Sequence, residues 1–95
     1  MNRRRKFKSP RICIFPGYNW CGPGCQGPGK PINRVDAACK KHDLCYQSHK
    51  SRCQCDKELY QQLERYTQEN SLEGRHARII SRYMKAQSAF TCKFH

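Results

Sequence analysis

The stretch YNWCGPGCQGPGKPINRVDAACKKHDLCY, Tyr18 to Tyr46, decides how this chain is read. It passes from a loop crowded with glycine, proline and cysteine into a run with helical character that holds His42 and Asp43 side by side. Asn33 suits an N-cap. Asp36, three residues on, resembles the acidic partner of a capping box and adds negative charge to the first turn. The helix is expected to continue to about Ser48, with Ala38, Cys39, His42, Cys45 and Tyr46 on one side. In the loop, Gly22 and Gly24 let the backbone turn tightly and aim several carbonyls at one spot. Hard cations such as Ca2+ take carbonyl oxygens of that kind together with carboxylates, and Asp43 is the candidate carboxylate if the loop folds back. A glycine pair alone is more often ordinary turn chemistry. An imidazole that titrates near neutrality is the usual general base, and it needs an acceptor on its second nitrogen, for which Asp56 is the candidate.

Working outward, 95 residues make one small domain, and a hydrophobic content of 37% leaves little for a core. Eight cysteines imply that covalent cross-links supply the missing stability in an oxidising compartment, although composition leaves their pairing open. Residues 1–11 read as a disordered basic arm and 12–95 as the folded domain. Five of the six glycines and four of the five prolines fall in 12–32, so that segment should be irregular. A second helix is expected from Cys55 to Thr67, with Leu59, Leu63 and Tyr66 at helical spacing. Gly74 reads as punctuation with Ser71 as a nearby cap. A third helix follows from Arg75 to Ala89, with Ala77, Ile80 and Met84 in one stripe and Arg75, Arg78, Arg82 and Lys85 mostly off it, as a solvated face. No alternation suggests strands. His49, His76 and His95 carry no partner signature and are expected at the surface. No stretch approaches the length of a membrane span, and no apolar signal-peptide core follows Met1.

The motifs YNWCGPG, DAACKKHDLCY and CQCDKELY closely resemble the secreted phospholipase A2 superfamily over roughly residues 12–66. The loop looks most like the bee-venom type, and the small size and DAA opening are similar to the parvoviral capsid phospholipase domain. The resemblance implies a mainly α, disulfide-stapled fold with two antiparallel helices, a calcium loop and a third helix. It implies that the carbonyls of Trp20, Gly22 and Gly24 and the carboxylate of Asp43 bind Ca2+. His42 would activate a water against the sn-2 ester of a glycerophospholipid. Asp56 would orient His42, Tyr46 would bond to Asp56, and the Gly22 N–H would help hold the oxyanion. Cys21–Cys39 and Cys45–Cys55 bridges follow from the same resemblance, while Cys13, Cys25, Cys53 and Cys92 are left unassigned.

The departures matter too. Ala38 and Gln62 stand where many relatives have a bridge, no room exists for a hairpin between Gln47 and Gln54, and the amphipathic N-terminal helix is missing. One carboxylate among neutral carbonyls makes a weak site, so a calcium Kd of about 0.1–1 mM is expected, in keeping with an extracellular or secreted protein. The charge of +12, from 19 Lys+Arg against 7 Asp+Glu, favours polyanions. The arm residues Arg3, Arg4, Arg5, Lys6 and Lys8 are read as docking a monomer on an anionic phospholipid membrane, with no specific nucleic acid expected. Two other readings compete. One is a zinc module built on Cys39, His42, Cys45, Cys53 and Cys55. The other is a non-catalytic cationic binder of membrane or nucleic acid on the same scaffold.

Overall fold

Asn33 begins the first helix as expected: its Oδ1 accepts the Asp36 N–H at 2.8 Å, and α1 runs Arg34–Tyr46. Ser51 does the same for α2, Arg52–Leu63, accepting the Gln54 N–H at 3.1 Å. That cap sets the start of α2 three residues before the expected Cys55. Ser71 caps α3, Leu72–Lys93, through the Gly74 N–H at 3.0 Å. The computed structural model describes residues 13–22, 25 and 27–93. Between Cys13 and Asn33 the described residues form bends and turns with no helix or strand.

Gly74 is not the break its type suggested. It lies in the first turn of α3, where a Cβ would meet the Glu69 carbonyl oxygen at 2.3 Å. Glycine is there for close approach, so the turn at 69 can fold against the helix.

α1 and α2 are antiparallel. Tyr46, at the end of α1, reaches Asp56 near the start of α2, and Arg34, at the beginning of α1, stacks on Tyr66 just past its end. α3 returns along α2, with which it makes its broadest contact. Val35, Leu59, Leu63, Ala77, Ile80 and Met84 form the centre of the core. Of the twelve buried hydrophobic residues among those described, four are half-cystines (Cys21, Cys25, Cys39 and Cys55), so cross-links occupy a large part of the small interior.

The Cys21–Cys39 and Cys45–Cys55 bridges are present, and the other four cysteines pair as Cys13–Cys25 and Cys53–Cys92. In the chain-entropy picture each such closure stabilises the fold by about 3–4 kcal/mol. Their division of labour is clear. Two bridges bind the loop to itself and to α1, one joins α1 to α2, and Cys53–Cys92 ties the far end of α3 back to α2.

Candidate functional site

Asp36 sets the position of the loop. Fully buried in the first turn of α1, it accepts the Trp20 N–H at 2.8 Å on one oxygen and the Asn19 and Ile32 N–H groups at 3.1 Å on the other. This is more than the capping-box role expected of it. The carboxylate holds three backbone donors, those of Asn19 and Trp20 in the loop and that of Ile32 just before the helix. A carboxylate satisfied by backbone amides is a strong anchor, since charge-assisted bonds are shorter and stronger than neutral ones. One residue beyond Trp20, the Cys21–Cys39 bridge ties the same loop to the second turn of α1.

The second assembly lies where α1, α2 and α3 meet. His42 donates Nε2–H to Asp56 Oδ1 at 2.7 Å, and Tyr46, one turn further along α1, donates its hydroxyl to the same oxygen at 2.5 Å. Helical spacing of four puts the two rings on one face, with centroids 4.3 Å apart. Asp56 is brought there by its place beside Cys55, which is bridged to Cys45. Its other oxygen accepts Thr91 Oγ1–H at 2.9 Å and Gln87 Nε2–H at 3.4 Å, both from α3, and Gln87 also donates to Tyr46 at 3.1 Å. Burial pushes the Asp56 carboxyl up, but its hydrogen bonds from Tyr46, His42, Thr91 and Gln87 outweigh this and hold it below the usual carboxylate range. Burial, then the hydrogen bond it donates to Asp56 and that carboxylate's charge, push the Tyr46 phenol well above its ordinary value. Asp56 therefore stays ionised, and Tyr46 stays a neutral donor.

With Nε2–H committed to Asp56, Nδ1 is the His42 nitrogen that carries a lone pair. His42 lines a cavity of about 430 Å³, together with Trp20, Gly22 and Asp43. Leu59, Ile80 and Met84 make much of its remaining wall apolar. A hydrogen-bonded imidazole on the wall of such a cavity is equipped to take a proton from a bound water.

Asp43 contrasts with the other two carboxylates. Its Oδ2 is buried and has no hydrogen-bond partner. Burial, then the charge of Asp36, raise its carboxyl to about 6. Backbone at Gly22 has φ +127°, outside the range of most side chains, and its carbonyl accepts the Cys25 N–H at 3.0 Å. A carboxylate with a partnerless buried oxygen, on a residue that lines the same cavity as Gly22 of the loop, suits a hard cation that binds oxygen. The Gly24 carbonyl, His95 and the arm residues Arg3, Arg4, Arg5, Lys6 and Lys8 lie outside the described residues.

The zinc alternative is ruled out by bonding. Cys39, Cys45, Cys53 and Cys55 are all in disulfides and have no thiolate to offer. His76, expected at the surface, is a partner instead. Its ring stacks on Phe15 with centroids 3.6 Å apart, and its Nδ1 accepts from Tyr18, whose oxygen in turn accepts from the cap residue Asn33. Burial, then the nearby Arg75 charge, lower its basicity, in keeping with the acceptor role. His49 is exposed, as anticipated. Gln87 and Thr91 have no motif of their own and escape a reading of the sequence. The signal for them is indirect: a Cys53–Cys92 pair brings Thr91 beside Asp56.

Comparison with known proteins bears on this arrangement. A family profile described as "Phospholipase A2-like domain" matches residues 11–86. Basic phospholipase A2 nigroxin A of Micrurus nigrocinctus is 40% identical over 42 residues, which cover 43% of this chain and 34% of that protein. Phospholipase A2 A2-actitoxin-Cgg2a of Condylactis gigantea is 52% identical over 33 residues, covering 34% of this chain and 26% of its own length. The chain thus matches about a third or less of the length of these curated relatives. No solved structure matches it.

Proposed function

Because the chain belongs to the phospholipase A2-like domain family, we propose that it hydrolyses the sn-2 acyl ester of glycerophospholipids in a calcium-dependent reaction, releasing a fatty acid and a lysophospholipid. One observation carries this reading. His42, bonded to Asp56 at 2.7 Å, lines the same cavity as Asp43, whose carboxylate keeps one buried oxygen without a hydrogen-bond partner.

His42 Nδ1 takes a proton from water as the water oxygen attacks the acyl carbon. The resulting imidazolium is stabilised by the Asp56 carboxylate, which stays ionised under its four donors. When the ester carbon–oxygen bond breaks, Nδ1–H returns the proton to the departing sn-2 oxygen. Tyr46, Gln87 and Thr91 keep Asp56, and through it the ring, in one orientation. The Gly22 N–H is assigned to the developing oxyanion. The carbonyls of Trp20, Gly22 and Gly24 with Asp43 would hold Ca2+, whose charge would polarise the ester carbonyl and neutralise the oxyanion. Leu59, Ile80 and Met84 offer apolar wall to an acyl chain. Four disulfides favour an extracellular setting, where calcium at about the millimolar level would fill a weak site.

The test is release of labelled fatty acid from a phospholipid carrying the label at sn-2. Activity is expected with calcium and is abolished by a chelator, and His42→Gln lowers kcat by about a hundredfold or more. Release that is unaffected by His42→Gln overturns the mechanism. Absence of release with full calcium favours a non-catalytic cationic binder.

A further inference from the structure

α3 has a second apolar face that the core does not use. Its buried residues, Gly74, Ala77, Ile80, Ser81, Met84 and Ser88, lie along one side. Helical spacing puts Leu72, Ile79, Tyr83 and Phe90 on the opposite side, where they are 64%, 48%, 61% and 65% exposed. From Leu72 to Phe90 this stripe extends about 27 Å.

The two flanks of the stripe differ. On one flank is the site: Tyr83 belongs both to the stripe and to the cavity wall, and Ile80, Met84 and Gln87 follow it inward. On the other flank stand Arg75, Arg82 and Lys93, all exposed. Among the described residues, Arg75 and Arg82 enter no salt bridge, whereas Lys85 is paired with Glu64 and Arg78 donates to the Thr67 and Glu69 carbonyls. The surface therefore reads, in order, cavity mouth, apolar stripe, uncommitted guanidinium groups.

We propose that this face of α3 is where the protein settles on a bilayer rich in anionic phospholipid, with the helix lying in the plane of the headgroups. An exposed apolar stripe of this kind sinks to the headgroup–acyl boundary while arginines beside it meet lipid phosphate. Arg suits that position because its planar fork matches phosphate oxygens. No described helix is long and apolar enough to cross the membrane, so the contact is along the surface. The net charge of +12 draws the chain to the same partner. Tyr83, an amphipathic ring at the junction of stripe and cavity, lets a lipid pass from the bilayer into the site without crossing water. The choice of a phospholipid surface rests on the proposed hydrolysis, but docking itself needs no turnover.

The experiment measures partition of the full chain, in chelator, onto mixed phosphatidylglycerol–phosphatidylcholine vesicles and onto pure phosphatidylcholine. Arg75→Gln with Arg82→Gln weakens binding to the mixed vesicles by about 30-fold and reduces the preference for anionic lipid. Leu72→Ser with Ile79→Ser weakens it by about 10-fold or more. None of these four residues lines the cavity, so both variants should hydrolyse a dispersed short-chain phospholipid at the wild-type rate in calcium, and circular dichroism should match wild type. Equal binding by wild type and both variants overturns the proposal, even if the dispersed ester is cleaved. Sensitive binding with no cleavage by wild type sustains the docking face and sinks the hydrolysis instead. A dimer in sedimentation that the Leu72/Ile79 variant dissolves assigns the stripe to a second copy and overturns the membrane proposal. Tighter binding to a short DNA duplex than to anionic vesicles does the same.

Discussion

The first and third turns of α1 each hold a carboxylate, and the two are treated in opposite ways. Asp36 is fully buried and holds three backbone N–H groups. Asp43, two turns later, keeps a buried oxygen that nothing in the described protein satisfies. A buried acceptor without a partner normally costs about 1–3 kcal/mol. Among the described side chains, the fold gives Asp36 and Asp56 several donors each and leaves Asp43, which lines the cavity, with an oxygen that has none. The comparison separates what builds the site from what the site is for.

Removing the first carboxylate should do the most damage. Asp36→Ala orphans three amides and frees the loop from α1, for an expected loss of about 3–5 kcal/mol in thermal unfolding with disulfides intact. Unfolding at the wild-type temperature would mean the loop is held by cystine alone.

Asp43→Asn should act in the other direction. In the metal-free protein the folded-state carboxyl titrates at about 6 against an ordinary 3.8. A raised value means that the stability linked to Asp43 is fully present below about 4 and is lost as pH rises through about 6. In chelator, then, the variant and wild type should melt alike at acid pH, with the variant higher above pH 6. Added calcium should stabilise only wild type, by about 1.4–2.7 kcal/mol at ten to a hundred times Kd. Equal calcium shifts in both proteins would remove Asp43 from the cation site. Asp56 has the opposite sign: its depressed carboxyl contributes stability above the ordinary carboxylate range, lost as pH falls through its folded value.

The smallest effect should come from Thr91→Val, which takes one of four donors from Asp56 and leaves His42 in place. A fall in kcat of about threefold to tenfold is expected, with KM unchanged. The acid limb of the pH–rate profile should also move, a change that general loosening of the fold would not produce.

Much of the fold is legible in the chain because the informative residues are local. Asn33 and Ser71 announce caps, Leu59 and Leu63 a helix face, and Ala77, Ile80 and Met84 another. The His42–Asp56 relation and two of the bridges come through the resemblance, since their motifs are specific. What escapes reading depends on distance. Asp36 binds backbone amides, which leave no side-chain signature. His76 meets a tyrosine 58 positions away. Gly74 looks like a break because the carbonyl it makes room for is visible only in the folded turn. Gln87 and Thr91 become significant only once Cys53–Cys92 is known.

That last bridge also decides what happens if the backbone is cut. Gln68, Asn70 and Ser71, in the segment between α2 and α3, are exposed, so a protease has its natural opening there. A clip at that point would not release α3, because Cys92 remains bonded to Cys53 on the other fragment. The nicked molecule would migrate at its original mass until a reductant is added, with Thr91 still tethered beside Asp56. Endurance in protease-rich surroundings would thus come from a topological tie rather than from an unbroken chain.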